Sequence, residues 1–381
     1  MYSATDFCLC ERLEFAAVLE EKMEFGLFMM PLHPPHRSIA DSYDRDLDLI
    51  VKADKLGYNE AWIGEHVTEG WENAPAPELL IAKALAMTEN IILATGVTLL
   101  CLHNPVELAH RIAMLDHLAR GRFYWGIGAR AIPTDLELYG MDPENGAEVR
   151  ERSAEVLDIV LKIWEAEGKF TYKGKYHDIT APEFDPVRDR GLYMKPYQKP
   201  HPPIGVASTS VASDSSRDVG ARGWIPMSSS ILPSNHLRGH WDVVEEGAAS
   251  AGKTADRHQW RIARDVLVAK TPGEARQRAK DVLERNWYQH QHPNRSAGLL
   301  ASSKIDPEMP DDDVNVDYLM EHIWIVGDPK ECADQIRKLY EEVGGFGTLL
   351  AITQDPDDHQ WEHECLELLM EEVGPRISDL R

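Results

Sequence analysis

The feature that most limits how this chain can fold is an alternation. A short apolar strand is followed by an amphipathic helix, eight times over 381 residues. Strands are predicted over 24–29, 58–63, 91–100, 122–128, 203–207, 223–227, 260–269 and 346–352. Between them, apolar residues recur at helical spacing. At 43–56, Leu47, Leu49, Ile50 and Ala53 share one side, and Gly57 supplies the stop. The segment 105–121 opens with Pro105 and ends on Gly121, the asymmetry of a helix. Further helices are predicted near 145–165, 211–221, 234–251, 272–290, 328–343 and 358–371. Strands that alternate with helices pair in parallel, and eight such units close on themselves. The expected fold class is therefore α/β, a (β/α)8 TIM barrel. A doubly wound open sheet in two domains is the competing fold, but its dinucleotide fingerprint is missing. GIGARA at 126–131 lacks the third glycine, and no acidic residue follows at the required spacing.

Two stretches interrupt the rhythm. Residues 166–202 are rich in Gly, Pro and aromatic residues and read as a long excursion containing a hairpin. Residues 286–320 show no clear periodicity, and a long irregular segment late in a barrel reads as a lid-like insertion over the active site. Residues 23–381 are expected to form one barrel domain, preceded by a flexible extension over 1–22.

Charge and cysteine usage narrow the function. With 40 basic against 64 acidic residues the net charge is −24, which argues against nucleic acid and against an anionic membrane surface. A small-molecule substrate fits better. The five cysteines are odd in number and scattered, with no CxxC pair, so neither a disulfide framework nor a zinc site is expected from them. The longest apolar run, 91–102, is too short to span a bilayer. No signal peptide is apparent near the start, and the expected location is the cytoplasm.

In a barrel of this kind chemistry collects at the C-terminal ends of the strands. WIGEH at 62–66 delivers Glu65 and His66 there. A histidine on that rim titrates near neutrality, and the adjacent Glu65 is expected to hold its tautomer or raise its pKa. A histidine merely hydrogen-bonded at a strand end is the bland alternative. In ILATGVTLLCLHNP at 92–105, Gly96 interrupts an apolar strand, as at a bulge or where something flat lies on the backbone. Asn104, just before Pro105, can cap the following helix. GIGARAIPTD at 126–135 sets Gly126 and Gly128 beside Arg130, whose fork suits phosphate or carboxylate, unless it simply pairs with Asp135. At 202–223 a strand runs into Ser208, Thr209, Ser210, Ser213, Ser215 and Ser216 ahead of a helix. Hydroxyls and amides at a helix N-terminus form a ready phosphate site, although a flexible serine-rich loop has the same composition. No metal centre is expected: the one HxH, His290 and His292, falls inside the irregular segment.

Taken together these segments resemble the bacterial-luciferase-like family of flavin-dependent monooxygenases, closest to its limonene-monooxygenase-like branch. The resemblance is carried by MEFGLFMMPLHPPHR at 23–37, RDLDLIVKADKLGYNEAWIGEH at 45–66, GWENAPAPELLIA at 70–82, residues 95–140, KPHPPIGVAS at 199–208 and GDPKECADQIRKLYEEVGGFGTLL at 327–350. It implies a barrel that takes reduced FMN as a co-substrate from a separate flavin reductase and uses oxygen to oxidise a small organic molecule. The family's Glu-His motif falls on Glu65 and His66, with His66 the acid/base candidate. Its non-prolyl cis peptide falls on Gly96–Val97, the position facing the flavin near Gly128, and the phosphate loop on Ser208 to Ser213. Asn104 and Arg130 complete the expected flavin contacts, and a homo-oligomer is the expected assembly. Two departures stand out. Val67 replaces a second histidine, and Ala129-Arg130-Ala131 replaces a Gly-Pro-Gly turn, bringing a cation toward the flavin or substrate. The rival within this fold is a deazaflavin-dependent dehydrogenase, and outside catalysis a barrel that binds flavin without turning over.

Overall fold

A computed structural model describes residues 22–129, 131–209, 214–292 and 297–381. The eight strand–helix units form as the alternation predicts. The barrel strands are β1 (Glu24–Met29), β2 (Glu60–Ile63), β3 (Ile92–Thr95), β5 (Phe123–Gly128), β8 (Ile204–Ser208), β9 (Ile225–Ser228), β10 (Arg261–Val268) and β12 (Thr348–Ile352). All pair in parallel, and β9–β10, β10–β12 and β12–β1 contacts close the ring. The predicted strand 91–100 is broken: after Thr95 the Gly96–Val97 peptide is cis, and the chain resumes as the two-residue β4 (Thr98–Leu99) beside β5. The hairpin expected within 166–202 is β6 (Phe170–Lys173) against β7 (Asp178–Ala181).

The barrel interior is a packed core, as the small diameter requires. Trp62 is fully buried at its centre, in a cluster with Ala94, Met227, Ala263, Leu350 and Ile352. Its ring is admitted by a glycine on a facing strand: a Cβ at Gly205 would lie 2.5 Å from Trp62 Cη2. The Trp62 indole N–H donates to Glu60, and Glu60 also receives both Nε and Nη2 of Arg261 at 3.1 and 3.0 Å. This bidentate pair is almost wholly buried at the strands' N-terminal ends, away from the rim that carries the site.

The helices run as predicted where periodicity is long: α1 (Ile39–Leu56), α3 (Pro105–Ala119), α5 (Gly146–Glu165), α6 (Asp214–Arg222) and α7 (Ser234–Ser250). Two short helices went unpredicted, α2 (Pro77–Leu85) and α4 (Pro133–Leu138), each with proline in its first turn. The predicted helix 272–290 begins as α8 (Pro272–Ala279), then widens into π turns at Lys280–Glu284 and Trp287–Gln291.

The late segment departs from the irregular lid expected. Helices Ala297–Ser302 and Val316–His322 lie within it, and β11 (Ile325–Gly327) then pairs with β10 outside the barrel. Leu267, Leu283, Trp287, Leu300, Leu319 and Trp324 give this region an apolar cluster of its own. Its periodicity was invisible because that cluster is assembled from many short pieces. No helix among the described residues is long and apolar enough to cross a membrane.

Candidate active site

The strand ends open into a cleft of about 350 Å³. Every barrel strand contributes to its lining, directly or through the loop that follows, β5 by way of Ile132. Phe28, Val97, Met227, Ala263 and Ile352 make one part apolar, while Glu65, His66, Glu69, Glu72 and His290 gather on another.

His66 stands one turn past β2, between two carboxylates. Its Nε2 lies 3.2 Å from Glu72 Oε2, and its Nδ1 lies 3.5 Å from Asp135 Oδ2. Asp135 is fully buried in the first turn of α4, and its Oδ1 accepts the Thr68 amide at 2.7 Å and the Thr68 hydroxyl at 2.6 Å. Burial by itself would depress the His66 pKa. The contact with Asp135 and the charges of Glu72 and Glu69 outweigh it, so His66 is held above its ordinary value. Asp135 is held below the usual carboxylate range: burial opposes this, but the contacts from His66 and Thr68 prevail.

The neighbour expected to tune His66 does something else. Glu65 turns away, receiving the Leu99 amide on Oε2 and His103 Nε2 on Oε1, each at 2.8 Å. His103 Nδ1 in turn accepts from Arg111, which fixes the tautomer with hydrogen on Nε2. Glu65 thus anchors the chain just after the cis peptide, and Asp135 and Glu72 take the role assigned to it. Adjacent residues on a chain need not share a face, and here the backbone sends them to opposite sides.

The second imidazole missing at Val67 arrives from elsewhere. His290, in the late segment, donates from Nε2 to Glu72 Oε1 at 2.7 Å and stacks on Trp71 with ring centroids 5.5 Å apart. Glu72 therefore bridges His66 and His290. Sequence reasoning missed Glu72, and passed over Asp135 except as a partner for Arg130. The HxH at 290–292 was noticed only as a metal motif.

The predicted flavin contacts divide. Gly96, Val97 and Thr209 line the cleft. A Cβ at Gly96 would lie 2.8 Å from Trp62 Cβ, so packing alone already requires glycine there. Gly128 is not among the lining residues, and the space over its Cα is taken by Val97, whose Cγ2 would be 2.5 Å from a Cβ. Asn104 is exposed and away from the cleft lining; its Oδ1 caps α3 through the amides of Val106 and Glu107, which corrects its assignment to the flavin. Ser208 is buried, its hydroxyl 2.9 Å from that of Ser216 in α6, tying the strand end to the helix. Arg130, Ser210 and Ser213 lie outside the described residues.

A planar cofactor fits this arrangement. The cleft offers an apolar floor, backbone approach at Gly96–Val97, one polar corner and Thr209 ahead of α6.

Comparison with known proteins agrees. The family model for luciferase-like monooxygenases matches residues 23–345. The chain is 33% identical to 4-hydroxyprotoasukamycin monooxygenase of Streptomyces nodosus subsp. asukaensis, over 94% of this chain and 93% of that protein. It is 28% identical to limonene 1,2-monooxygenase of Rhodococcus erythropolis, covering 94% and 87%. Among solved structures, it is similar to the oxygenating constituent of 3,6-diketocamphane monooxygenase of Pseudomonas putida, a type II Baeyer–Villiger monooxygenase in complex with FMN. The TM-score is 0.86 at 32% identity, covering 93% of this chain and 98% of that one. The chain belongs to the luciferase-like monooxygenase family and is a flavin-dependent monooxygenase.

Proposed function

We propose that the cleft takes reduced FMN, supplied by a separate flavin reductase, together with a small and mostly apolar cyclic ketone or alkene, and oxygenates that substrate. The observation that carries this reading is the placement of His66, its pKa raised by Asp135 and Glu72, against an apolar cleft bordered by the Gly96–Val97 backbone. Reduced FMN supplies two electrons, so that one atom of O2 enters the substrate and the other leaves as water. His66 holds the proton that this balance requires, and Glu72 and Asp135 orient its ring. The apolar lining excludes water and seats the hydrocarbon body of the substrate. Thr209, Ser210 and Ser213, ahead of α6, are proposed to hold the FMN phosphate, while the buried Ser208 hydroxyl, engaged with Ser216, supports the strand end. Arg130 is proposed to face an anion of the cofactor or substrate.

The diketocamphane and limonene relatives favour terpenoid ketones and alkenes as the first compounds to try. Self-association is also proposed. Leu79 on α2 and Met114 and Leu118 on α3 are 71%, 55% and 57% exposed and offer it an apolar face, and light scattering tests it.

The test is to combine the protein with FMN, NADH, a flavin reductase and 18O2, and to screen bicyclic ketones and cyclic alkenes for labelled product. Label in a lactone or epoxide supports the reading. Substrate oxidation that proceeds equally without oxygen sinks it in favour of a deazaflavin dehydrogenase, and flavin binding with no product across the panel favours a non-catalytic flavin barrel.

A further inference from the structure

Away from the cleft, α1 and the C-terminal helix His359–Leu368 pack side by side. His359 and His363 are four residues apart on that helix, so their rings share one face. Asp48 on α1 faces them. Three atoms converge: His359 Nε2 and His363 Nε2 are 3.0 Å apart, and Asp48 Oδ2 lies 3.3 Å from the first and 3.0 Å from the second.

With Asp48 ionised, protons cannot satisfy all three edges of this triangle at once. If both Nε2 atoms carry hydrogen, two N–H groups point at each other. If only one does, the other directs its lone pair at the Asp48 carboxylate, from 3.0 Å for His363 or 3.3 Å for His359. If neither does, all three atoms repel. A cation receives all three lone pairs at once. Around a tetrahedral ion with nitrogen and oxygen ligands at about 2.0–2.1 Å, neighbouring donors sit roughly 3.3 Å apart, and nearer 3.0 Å as the coordination number rises. The observed edges fall in that range. Among the described residues, this is the one group of three such side chains close enough to share an ion.

We propose that Asp48, His359 and His363 form a binding site for one divalent transition-metal cation of the zinc class. Two imidazoles and a single carboxylate select a borderline ion over calcium or magnesium, which prefer all-oxygen ligands. His359 Nδ1 lies 3.8 Å from Glu362 Oε2, beyond hydrogen-bond distance but the nearest carboxylate on that side of the ring. The Asp48 side chain is 57% exposed, which leaves the remaining coordination positions to water. Three protein ligands on two helices make a staple, and the ion pair of Lys52 with Glu367 joins the same two helices further along. The site joins α1 to the helix His359–Leu368, far apart in sequence, so occupancy stabilises the folded barrel and leaves flavin binding untouched.

The full chain, stripped with EDTA and dialysed, is titrated with zinc chloride in competition with a chromophoric chelator, and its melting is followed with and without zinc. The expected result is one zinc per chain with a dissociation constant of about 1 µM or tighter, and a Tm raised by several degrees. His359→Gln together with His363→Gln weakens binding by roughly 100-fold or more and abolishes the Tm shift, while FMN affinity is unchanged. Should that variant fail to fold, Asp48→Asn at an exposed position still decides, with an expected loss of about tenfold. Wild-type protein that binds no zinc at 100 µM, a double variant with unchanged zinc affinity, or an Asp48→Asn chain that binds as tightly as wild type overturns the proposal.

Discussion

His290 Nε2 lies 2.7 Å from Glu72 Oε1, although 218 residues of chain separate them. Through this contact the late segment is latched to the loop after β2, and the latch shares its carboxylate with His66. Replacing His290 with alanine should loosen the latch and expose the polar corner of the cleft. We expect KM for the organic substrate to rise more than kcat falls, with melting little changed. Steady-state kinetics under saturating reduced FMN check this, and an unaltered KM would remove the latch from the mechanism.

His66→Ala should lower turnover by about 100-fold with the fold retained, since a positioned proton donor contributes on that scale. Circular dichroism and FMN affinity serve as controls. A rate within a few-fold of wild type contradicts the acid/base assignment.

The same side chain carries a pH signature. His66 is held above its ordinary value of about 6.5 by Asp135, Glu72 and Glu69 working against burial. Its charged contacts therefore contribute fully below that value, and the contribution is lost as pH rises through the folded-state value. His66→Gln should cost more stability at pH 6 than at pH 9. Urea melts at the two values measure this, and an equal or reversed difference would contradict the ion-pair geometry.

Glu65 is expected to act on structure rather than on proton transfer. Glu65→Ala strips acceptors from the Leu99 amide and His103, and each buried donor left unpaired costs about 1–3 kcal/mol. Tm should fall, while the pH dependence of kcat keeps its wild-type shape. A displaced pH profile at unchanged Tm would return Glu65 to the role first expected of it.

At the other end of the barrel, Arg261→Met leaves Glu60 buried and uncompensated, at a cost of about 3–5 kcal/mol. Glu60→Gln in the same chain should recover part of that loss. Denaturant melts of the two variants test the pair, and no recovery in the double variant would mean that packing around Trp62, not charge, sets the cost.

Much of this was legible in the chain. The barrel follows from local pattern alone, because strand and helix periodicities and the Gly and Pro stops act within a few residues. The same holds for the rim position of His66, and for the break at Gly96–Val97 once the family resemblance is recognised. What lies opposite His66 is not local. Glu72 follows His66 in the same loop, but Asp135 comes from the first turn of α4 and His290 from the late segment, and only closure of the barrel brings Asp135 to His66 and His290 to Glu72. Glu65 shows the limit most sharply, since adjacency in sequence suggested a partner that backbone direction denies. Gly128 and Asn104 repeat it, one filled by Val97 and the other used as a helix cap. Asp48 and His359 lie 311 residues apart, and no spacing rule could have joined them. The sequence by itself determined the elements and their order, which depend on short-range sterics and hydrophobic period. The tertiary structure decided which charges meet, because that depends on the few ångströms at which one strand end faces another.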